Sequence, residues 1–389
     1  MKIALVCEWL DPWRGGAETS TMQFLHRLMA TDVEVHVFTR SRLASTPSMY
    51  VHTISGASMS RARRSMTFAR RVEKRLAAES FDLVHAISPC RGADIYQPRG
   101  GTVAEAIERN LALRRNGTVR RLKRYANHFN VKQRYLLTME RELFSDPHGP
   151  IVVAISRYVA RQLRHHYGVP HDRIRVIYNG VEPDTTATQE RQRHRLAIRK
   201  EFDIASTDLL VLAVAHNFRL KGVRRWMEAM ALLQSRGLKD LRSLVIGKGD
   251  SPAWHRLAAR LNITDRLSFV GPSDRVPMFY HAADVLVHPT YYDPCSRVVL
   301  EAMIAGLPCI STRWDGAAEV IEQGKNGFVL DDPWNVEALA ARIERLRDAA
   351  LRNKVSQAAG GIAERVSMAA HVRGMMRLYQ ALARAEVRC

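Results

Sequence analysis

The sequence predicts an α/β protein built of two doubly wound, Rossmann-like domains that face a cleft. Three observations lead there. Short apolar runs of strand length alternate with segments of helical periodicity along nearly all 389 residues, the pattern of parallel sheets covered by helices on both faces. The alternation breaks once, at residues 181–207, VEPDTTATQERQRHRLAIRKEFDIAST, which are polar and hold no strand. The chain is also long enough for two domains that each bury a core of their own.

In chain order, the strand candidates of the first domain (1–180) are 2–9, 34–39, 51–55, 82–88, 95–97, 151–156 and 175–178. The first reads as a buried strand and not as a signal peptide, because its apolar run is short and acids follow at once. Residues 181–207 are expected to form a linker. The second domain (208–368) repeats the pattern with 209–215, 242–247, 267–271, 285–289, 308–312 and 327–330. Helices fall between the strands. The clearest is 221–235, where Val223, Trp226, Met227, Met230 and Leu233 form one apolar stripe. The last segment, about 369–389, is a basic amphipathic helix expected to pack back on the first domain. No apolar run approaches the roughly 18 residues of a membrane span.

Composition narrows the function classes. With 46% hydrophobic and 25% charged residues the chain reads as soluble and globular. Its five cysteines are widely spaced without a C-x-x-C, which argues against a zinc site or a disulfide framework and suits a reducing cytoplasm. The 14 methionines are read as core filler. A formal charge of +20 points to polyanionic partners: nucleic acid, anionic lipid or phosphorylated substrates. The positive charge gathers in RARRSMTFARRVEKR (61–75) and LRRNGTVRRLKRYANHFNVKQR (113–134). Neither stretch has a helix-turn-helix, zinc or RNP pattern or regularly interleaved aromatics, so nucleic acid is not the expected partner.

Three stretches could carry chemistry. WRGGAETS (13–20) follows the first strand, and Gly15 and Gly16 let the backbone approach a ligand where helix amides favour phosphate. It is not G-x-G-x-x-G, so a dinucleotide fingerprint is absent, and an ordinary tight turn is the alternative. HNFRLKGVRRW (216–226) places Arg219 and Lys221 at a helix start, where cations oppose the helix dipole unless an anion sits beside them. Two solvated loop cations are the alternative. YYDPCSRVVLEAMIAGLPCIS (291–311) places Asp293 in a loop and the amides of Ser296, Arg297 and Val298 at a second anion-friendly helix end. Within 298–306 every residue is apolar or small except Glu301. A buried carboxylate needs a partner, either two vicinal hydroxyls such as those of a ribose or an arginine. Tyr291 and Tyr292 suit packing or the wall of the cleft, and the adjacent His165 and His166 suit a solvated face better than a metal.

Asp293, seven intervening residues and Glu301 within VVLEAMIAGLP resemble the E-x7-E element of the retaining GT-B glycosyltransferases of family 4. GGAE (15–18), VVAISRYVARQL (152–163), IRVIYNGVEP (174–183), RLKG (219–222), LVIGKGD (244–250), FVGPSDRVPMFYHAADVLVHPT (269–290) and GAAEVIEQGKNGFVL (316–330) follow in that family's order and spacing. The resemblance spans residues 2–385 and looks closest to bacterial hexosyltransferases of the lipopolysaccharide core. It implies transfer of a hexose from a nucleoside-diphosphate sugar, with UDP the expected nucleotide, to a lipid-linked or lipopolysaccharide-type acceptor, without metal or cofactor.

Residue by residue, the resemblance implies that Glu301 holds the ribose, that Arg219 and Lys221 bind the diphosphate, and that amides at Ser296, Arg297 and Val298 contact diphosphate and sugar hydroxyls. Asp293 would contact the sugar near C3. Gly15, Gly16 and Glu18 would lie on the substrate from the other domain, with Gly16 near the phosphates. The loop ADIYQPRGG (93–101), with Arg99, would line the acceptor side. Three positions depart from the family: Asp293 stands where Glu is usual, His216 where many members have an arginine, and Arg99 near where many have a histidine. A nucleotide-sugar epimerase of similar fold, a nucleic-acid-binding protein and a non-catalytic nucleotide-sugar binder are the competing readings. A lipid-borne acceptor and the basic 113–134 segment, with Tyr125, Phe129 and Tyr135 beside it, add an anionic membrane surface as an expected partner. The expected location is cytoplasmic, on the inner face of the cell membrane.

Overall fold

Ile3, Ala4, Leu5 and Val6 are wholly buried, as a strand must be when helices cover both faces of its sheet. They form β1 (Lys2–Val6) of the computed structural model, which describes residues 1–11, 15–56 and 60–386. The chain divides into two units, Met1–Glu182 with Val366–Cys389, and Pro183–Arg365.

The first unit contains β1, β2 (Glu34–Thr39), β3 (Met49–Thr53), β4 (Leu83–Ala86), β5 (Ile95–Tyr96), β6 (Ile151–Ala154) and β7 (Ile174–Val176). They make one parallel sheet in the order β3-β2-β1-β4-β5-β6-β7. Phe24, Leu25 and Leu28 of helix Gly16–Leu28 pack on it together with Met368, Met375 and Tyr379 of helix Met368–Glu386. The last helix is therefore part of the first unit's core. The chain re-enters beside its own exit, where the Val181 amide donates to Val366 O at 3.0 Å and the Met368 amide to Val181 O at 2.8 Å.

The second unit contains β8 (Leu209–Val214), β9 (Leu241–Ile246), β10 (Leu267–Gly271), β11 (Val285–Val287), β12 (Cys309–Thr312) and β13 (Gly327–Leu330), parallel in the order β10-β9-β8-β11-β12-β13. Each unit thus forms a doubly wound α/β sheet. The expected stripe is buried against the second sheet, and Trp226 Nε1 donates to Ser243 Oγ at 2.9 Å. Its helix is Val223–Ser235, two residues shorter than expected. Gly222 stops it in the left-handed region (φ +72°), where a Cβ would lie 2.0 Å from Pro289 O.

Residues 181–207 are not a simple linker. Helix Thr188–Glu201 lies within them and docks on helix Val276–Ala282 and the residues just after it. Its anchors are polar: Arg199 pairs with Asp284 at 2.6 Å, Arg195 with Asp284 at 2.8 Å and with Ala282 O at 2.7 Å, and His194 with His281 at 2.9 Å. A helix held by buried arginine leaves little apolar periodicity to read.

The basic segment is also helical. Helix Gly117–His128 buries none of its residues, and Leu122, Tyr125 and Phe129 stand 69%, 64% and 67% exposed. Among the described residues no helix is long and apolar enough to cross a membrane. Cys7, Cys90, Cys295 and Cys309 are buried, and among the described residues none forms a disulfide.

Candidate functional site

In a doubly wound sheet the strand order reverses direction beside the first strand, and the loops leaving that point part to open a crevice at the carboxyl ends. In the second unit this point lies between β8 and β11. The β8 loop carries Arg219 and Lys221, and the β11 loop carries Asp293. Backbones press together here. A Cβ on Gly247 (φ +132°) would fall 1.7 Å from Ala215 O, and the Tyr291 amide donates to Leu220 O at 2.9 Å.

The two loops meet in an ion pair. Lys221 Nζ lies 2.6 Å from Asp293 Oδ2 and 3.1 Å from Tyr292 O. His288 Nε2 reaches the same carboxylate oxygen at 3.2 Å. Burial alone would raise the Asp293 carboxyl, but the Lys221 ammonium and His288 hold it well below the usual carboxylate range. Beneath it sits a second buried carboxyl, Asp315, which accepts from the amides of Ser296 (3.0 Å) and Ala317 (2.8 Å) and from Ser311 Oγ (2.8 Å). Burial and the charge of Asp293 push Asp315 up to about 6.

Helix Arg297–Ile304 starts at this mouth, with Ser296 Oγ accepting from the Val299 amide at 3.4 Å. The Ser296 amide, expected to be available to an anion, is taken by Asp315. A first-turn amide such as Val298's has no acceptor within the helix. Glu301 is 29% exposed and accepts from Arg297 at 2.7 Å and from the Tyr280 hydroxyl at 3.1 Å. The carboxylate that looked out of place therefore has a partner one turn back, and the Arg297 side chain serves Glu301. Burial and the charge of Glu301 drive the Tyr280 phenol well above its ordinary value.

Arg219 is exposed and makes no ion pair among the described residues. His216 is likewise exposed, and desolvation with the charges of Lys248 and Lys221 lowers its pKa, so a neutral imidazole stands among cations.

In the first unit, Gly15 precedes helix Gly16–Leu28, the Thr19 amide donates to Gly15 O at 3.1 Å, and Glu18 lies in the first turn. Trp13 and Arg14 of the same motif lie outside the described residues. Arg99 is 6% exposed and turns inward, against the expectation that it lines an acceptor surface. Its guanidinium donates to Ser20 Oγ at 2.6 Å and Gln97 Oε1 at 3.0 Å, lies 3.4 Å from His371 Nε2 and stacks over Phe24. Burial and the Arg99 charge push His371 down to about 3, which keeps its Nε2 an acceptor. Arg99 thus ties helices Gly16–Leu28 and Met368–Glu386 to β5.

His166 does not lie on a solvated face as expected, because its Nε2 is 2.8 Å from Glu105. Tyr291 and Tyr292 are both buried, and Tyr291 packs edge-on to Trp334. Sequence reasoning passed over His288 and Asp315. A signal was present in each case: His288 is a polar residue ending an apolar strand, and Asp315 precedes GAA in the manner of a cap, which it forms.

The family model for Glycosyltransferase Family 4 matches residues 14–185, and that for Glycosyl transferases group 1 matches residues 194–360. The lipopolysaccharide glucosyltransferase WaaG of Escherichia coli is 25% identical over 326 residues, 84% of this chain and 84% of that protein. A D-inositol 3-phosphate glycosyltransferase of Nocardia farcinica is 31% identical, over 54% of this chain and 49% of its own. Among solved structures, WaaG superposes with a TM-score of 0.81 at 22% identity, covering 97% of this chain and 99% of that one. Anabaena HepE in complex with UDP-glucose superposes with a TM-score of 0.70 at 17% identity, covering 98% and 100%.

Proposed function

Because the chain belongs to the family 4 glycosyltransferases and has their GT-B fold of two Rossmann-like domains, we propose that it transfers a hexose from a UDP-sugar to a lipid-linked, lipopolysaccharide-type acceptor with retention of configuration. The observation that carries this reading is the meeting of Lys221 and Asp293 at the strand-order reversal of the second sheet, beside the start of helix Arg297–Ile304. The UDP-glucose bound by Anabaena HepE and the lipopolysaccharide role of WaaG support the choice of donor and acceptor class.

In this scheme Glu301, held by Arg297 and Tyr280, accepts hydrogen bonds from the two ribose hydroxyls. The diphosphate lies against Lys221, Arg219 and the first-turn amides. As the bond between the sugar anomeric carbon and the phosphate oxygen breaks, negative charge grows on the diphosphate, and these cations and amides stabilise it more than the ground state. The acceptor hydroxyl oxygen bonds to the anomeric carbon from the face the diphosphate leaves, and its proton passes to the departing phosphate oxygen. Cations and amides perform the task a divalent ion would otherwise perform, so turnover is expected to be metal-independent.

The acceptor is brought within reach by the membrane. Leu122 and Tyr125 of helix Gly117–His128 and Phe129 just after it recur at helical spacing, flanked by exposed Arg120, Arg121 and Arg124. An exposed apolar stripe edged with cations suits the interface of an anionic bilayer, where each Lys or Arg adds about 1 kcal/mol.

The test is a panel of UDP-, ADP- and GDP-sugars read first by melting temperature. A ligand at about 100 times its dissociation constant adds roughly 2.7 kcal/mol. Stabilisation by a UDP-sugar, an α-linked product from an α-linked donor and indifference to chelator are expected. Stabilisation by none of the panel, an inverted product, or a firm need for a divalent ion each refutes the corresponding part. Phosphatidylglycerol vesicles should sediment the protein at low salt, less so at high salt and less so after Leu122→Ser with Tyr125→Ser. Protein remaining in the supernatant at low salt refutes the membrane role.

A further inference from the structure

The outer strands of the first sheet carry a side-chain cluster that glycosyl transfer does not use. His36 on β2 and His52 on β3 place Nδ1 of the first 2.8 Å from Nε2 of the second. Glu79, after helix Arg61–Leu76, brings a carboxylate oxygen 3.7 Å from the same His36 Nδ1. One donor atom from each of the three residues lies within 4.8 Å of the others. No ligand spacing marked them in the sequence, since His36 and His52 stand 16 positions apart.

We propose that His36 Nδ1, His52 Nε2 and the Glu79 carboxylate form a site for a divalent transition-metal ion of the zinc, cobalt or nickel class. Two imidazoles and one carboxylate suit these borderline ions and not magnesium or calcium, which take oxygen ligands. The outer shell is already built. His36 Nε2 lies 2.7 Å from Glu34 Oε1, so the proton on that nitrogen is held by a carboxylate and Nδ1 keeps its lone pair toward His52. The rings are held by packing: His36 stacks on Tyr50 at 4.8 Å and meets Phe81 edge-on at 5.3 Å, while His52 stacks on Phe38 at 4.5 Å.

The short contact between the rings holds a proton, donated by His52 Nε2 to His36 Nδ1. A metal ion takes the place of that proton, which moves to Nδ1 of His52 as the neutral imidazole changes tautomer, leaving Nε2 free to ligate. Nitrogens each about 2.0–2.1 Å from a tetrahedral ion stand about 3.3 Å apart, so the rings need to part by about half an ångström. One group competes: Lys2 Nζ pairs with Glu79 at 2.8 Å. The ion would clip β2, β3 and the segment after helix Arg61–Leu76 together.

The experiment is calorimetric titration of the full chain, free of any histidine tag, with zinc chloride. One strong site is expected, absent in His52→Ala. Glu34→Gln should weaken it about 10–100-fold, as loss of an outer-shell partner does. If His52→Ala fails to fold, the half-exposed Glu79→Gln provides the same test. Lys2→Ala should tighten binding by freeing Glu79, a gain that a purely structural cluster would not show. Retention of the strong site in His52→Ala or Glu79→Gln, its loss instead in His166→Gln (the Glu105–Glu108–His166 group), or equal affinity for magnesium would each overturn the proposal.

Discussion

Replacing Lys221 with Met removes an ammonium whose nitrogen lies 2.6 Å from Asp293 while keeping a side chain of similar length. The two side chains are only 19% and 15% exposed, so the orphaned carboxylate is left mostly out of water with His288 as its remaining partner. Breaking a fully buried pair from one side costs about 3–5 kcal/mol. Some water reaches this one, so about 2–3 kcal/mol is the expected loss for Lys221→Met. Asp293→Asn leaves the ammonium on Tyr292 O and should cost less, about 1–2 kcal/mol. The double variant then loses less than the sum, with a coupling of about 1–2 kcal/mol, within the range of contacting charged residues. The assay is urea unfolding of the four proteins at pH 7, followed by tryptophan fluorescence, to which Trp226, Trp254, Trp314 and Trp334 contribute from the second unit. The pH dependence has a definite sign. Because the folded Asp293 carboxyl is depressed, its stabilisation is present above the unfolded aspartate value near 3.8 and is lost as pH falls through the folded one. Coupling below about 0.5 kcal/mol at pH 7 would show that the pair contributes nothing beyond its separate parts and refute the reasoning.

Asp315→Asn should match wild type below about pH 4 and become progressively more stable than it between pH 4 and about 6, with a difference of up to about 3 kcal/mol for a two-unit shift that then stays constant. A raised acid stabilises only below its unfolded value and loses that contribution through its folded one, so a stability difference flat from pH 4 to 8 would contradict the buried Asp293–Asp315 arrangement. Glu301→Gln should weaken UDP-sugar binding tenfold or more, from a charge-assisted bond of about 1.5–3 kcal/mol, and should also lower stability because Arg297 loses its partner. Unchanged donor affinity in calorimetry would reduce Glu301 to a partner for Arg297. Arg99→Met should cost a few kcal/mol of stability by leaving Ser20, Gln97 and His371 without their donor, with little change in donor affinity. A large affinity loss at full stability would return Arg99 to the substrate.

Among the described residues thirteen strands lie where the apolar runs place them, and the helix of Val223, Trp226 and Met230 begins just after Gly222, two residues later than its periodicity placed it. These features were legible because burial on both faces of a parallel sheet demands unbroken apolar runs, and burial on one face of a helix demands a period of 3.6. Each requirement is local and leaves its mark in neighbouring residues. The spacing from Asp293 to Glu301 was legible for the same reason, since a loop and the two turns after it form one continuous piece of chain. Polar partners are another matter. Lys221 and Asp293 are 72 positions apart, Asp315 captures the Ser296 amide from another loop, and Arg99 reaches His371 across 272 positions. Helix Thr188–Glu201 looked like a linker because its docking surface is arginine and histidine. A buried charge is stable only beside a matching group, and that group comes from whichever strand or helix the sheet order brings alongside. The sequence alone therefore determined the two sheets and most of their helices. The tertiary structure decided which charges in those loops face one another, because pairing depends on distance in space and local periodicity carries no record of it.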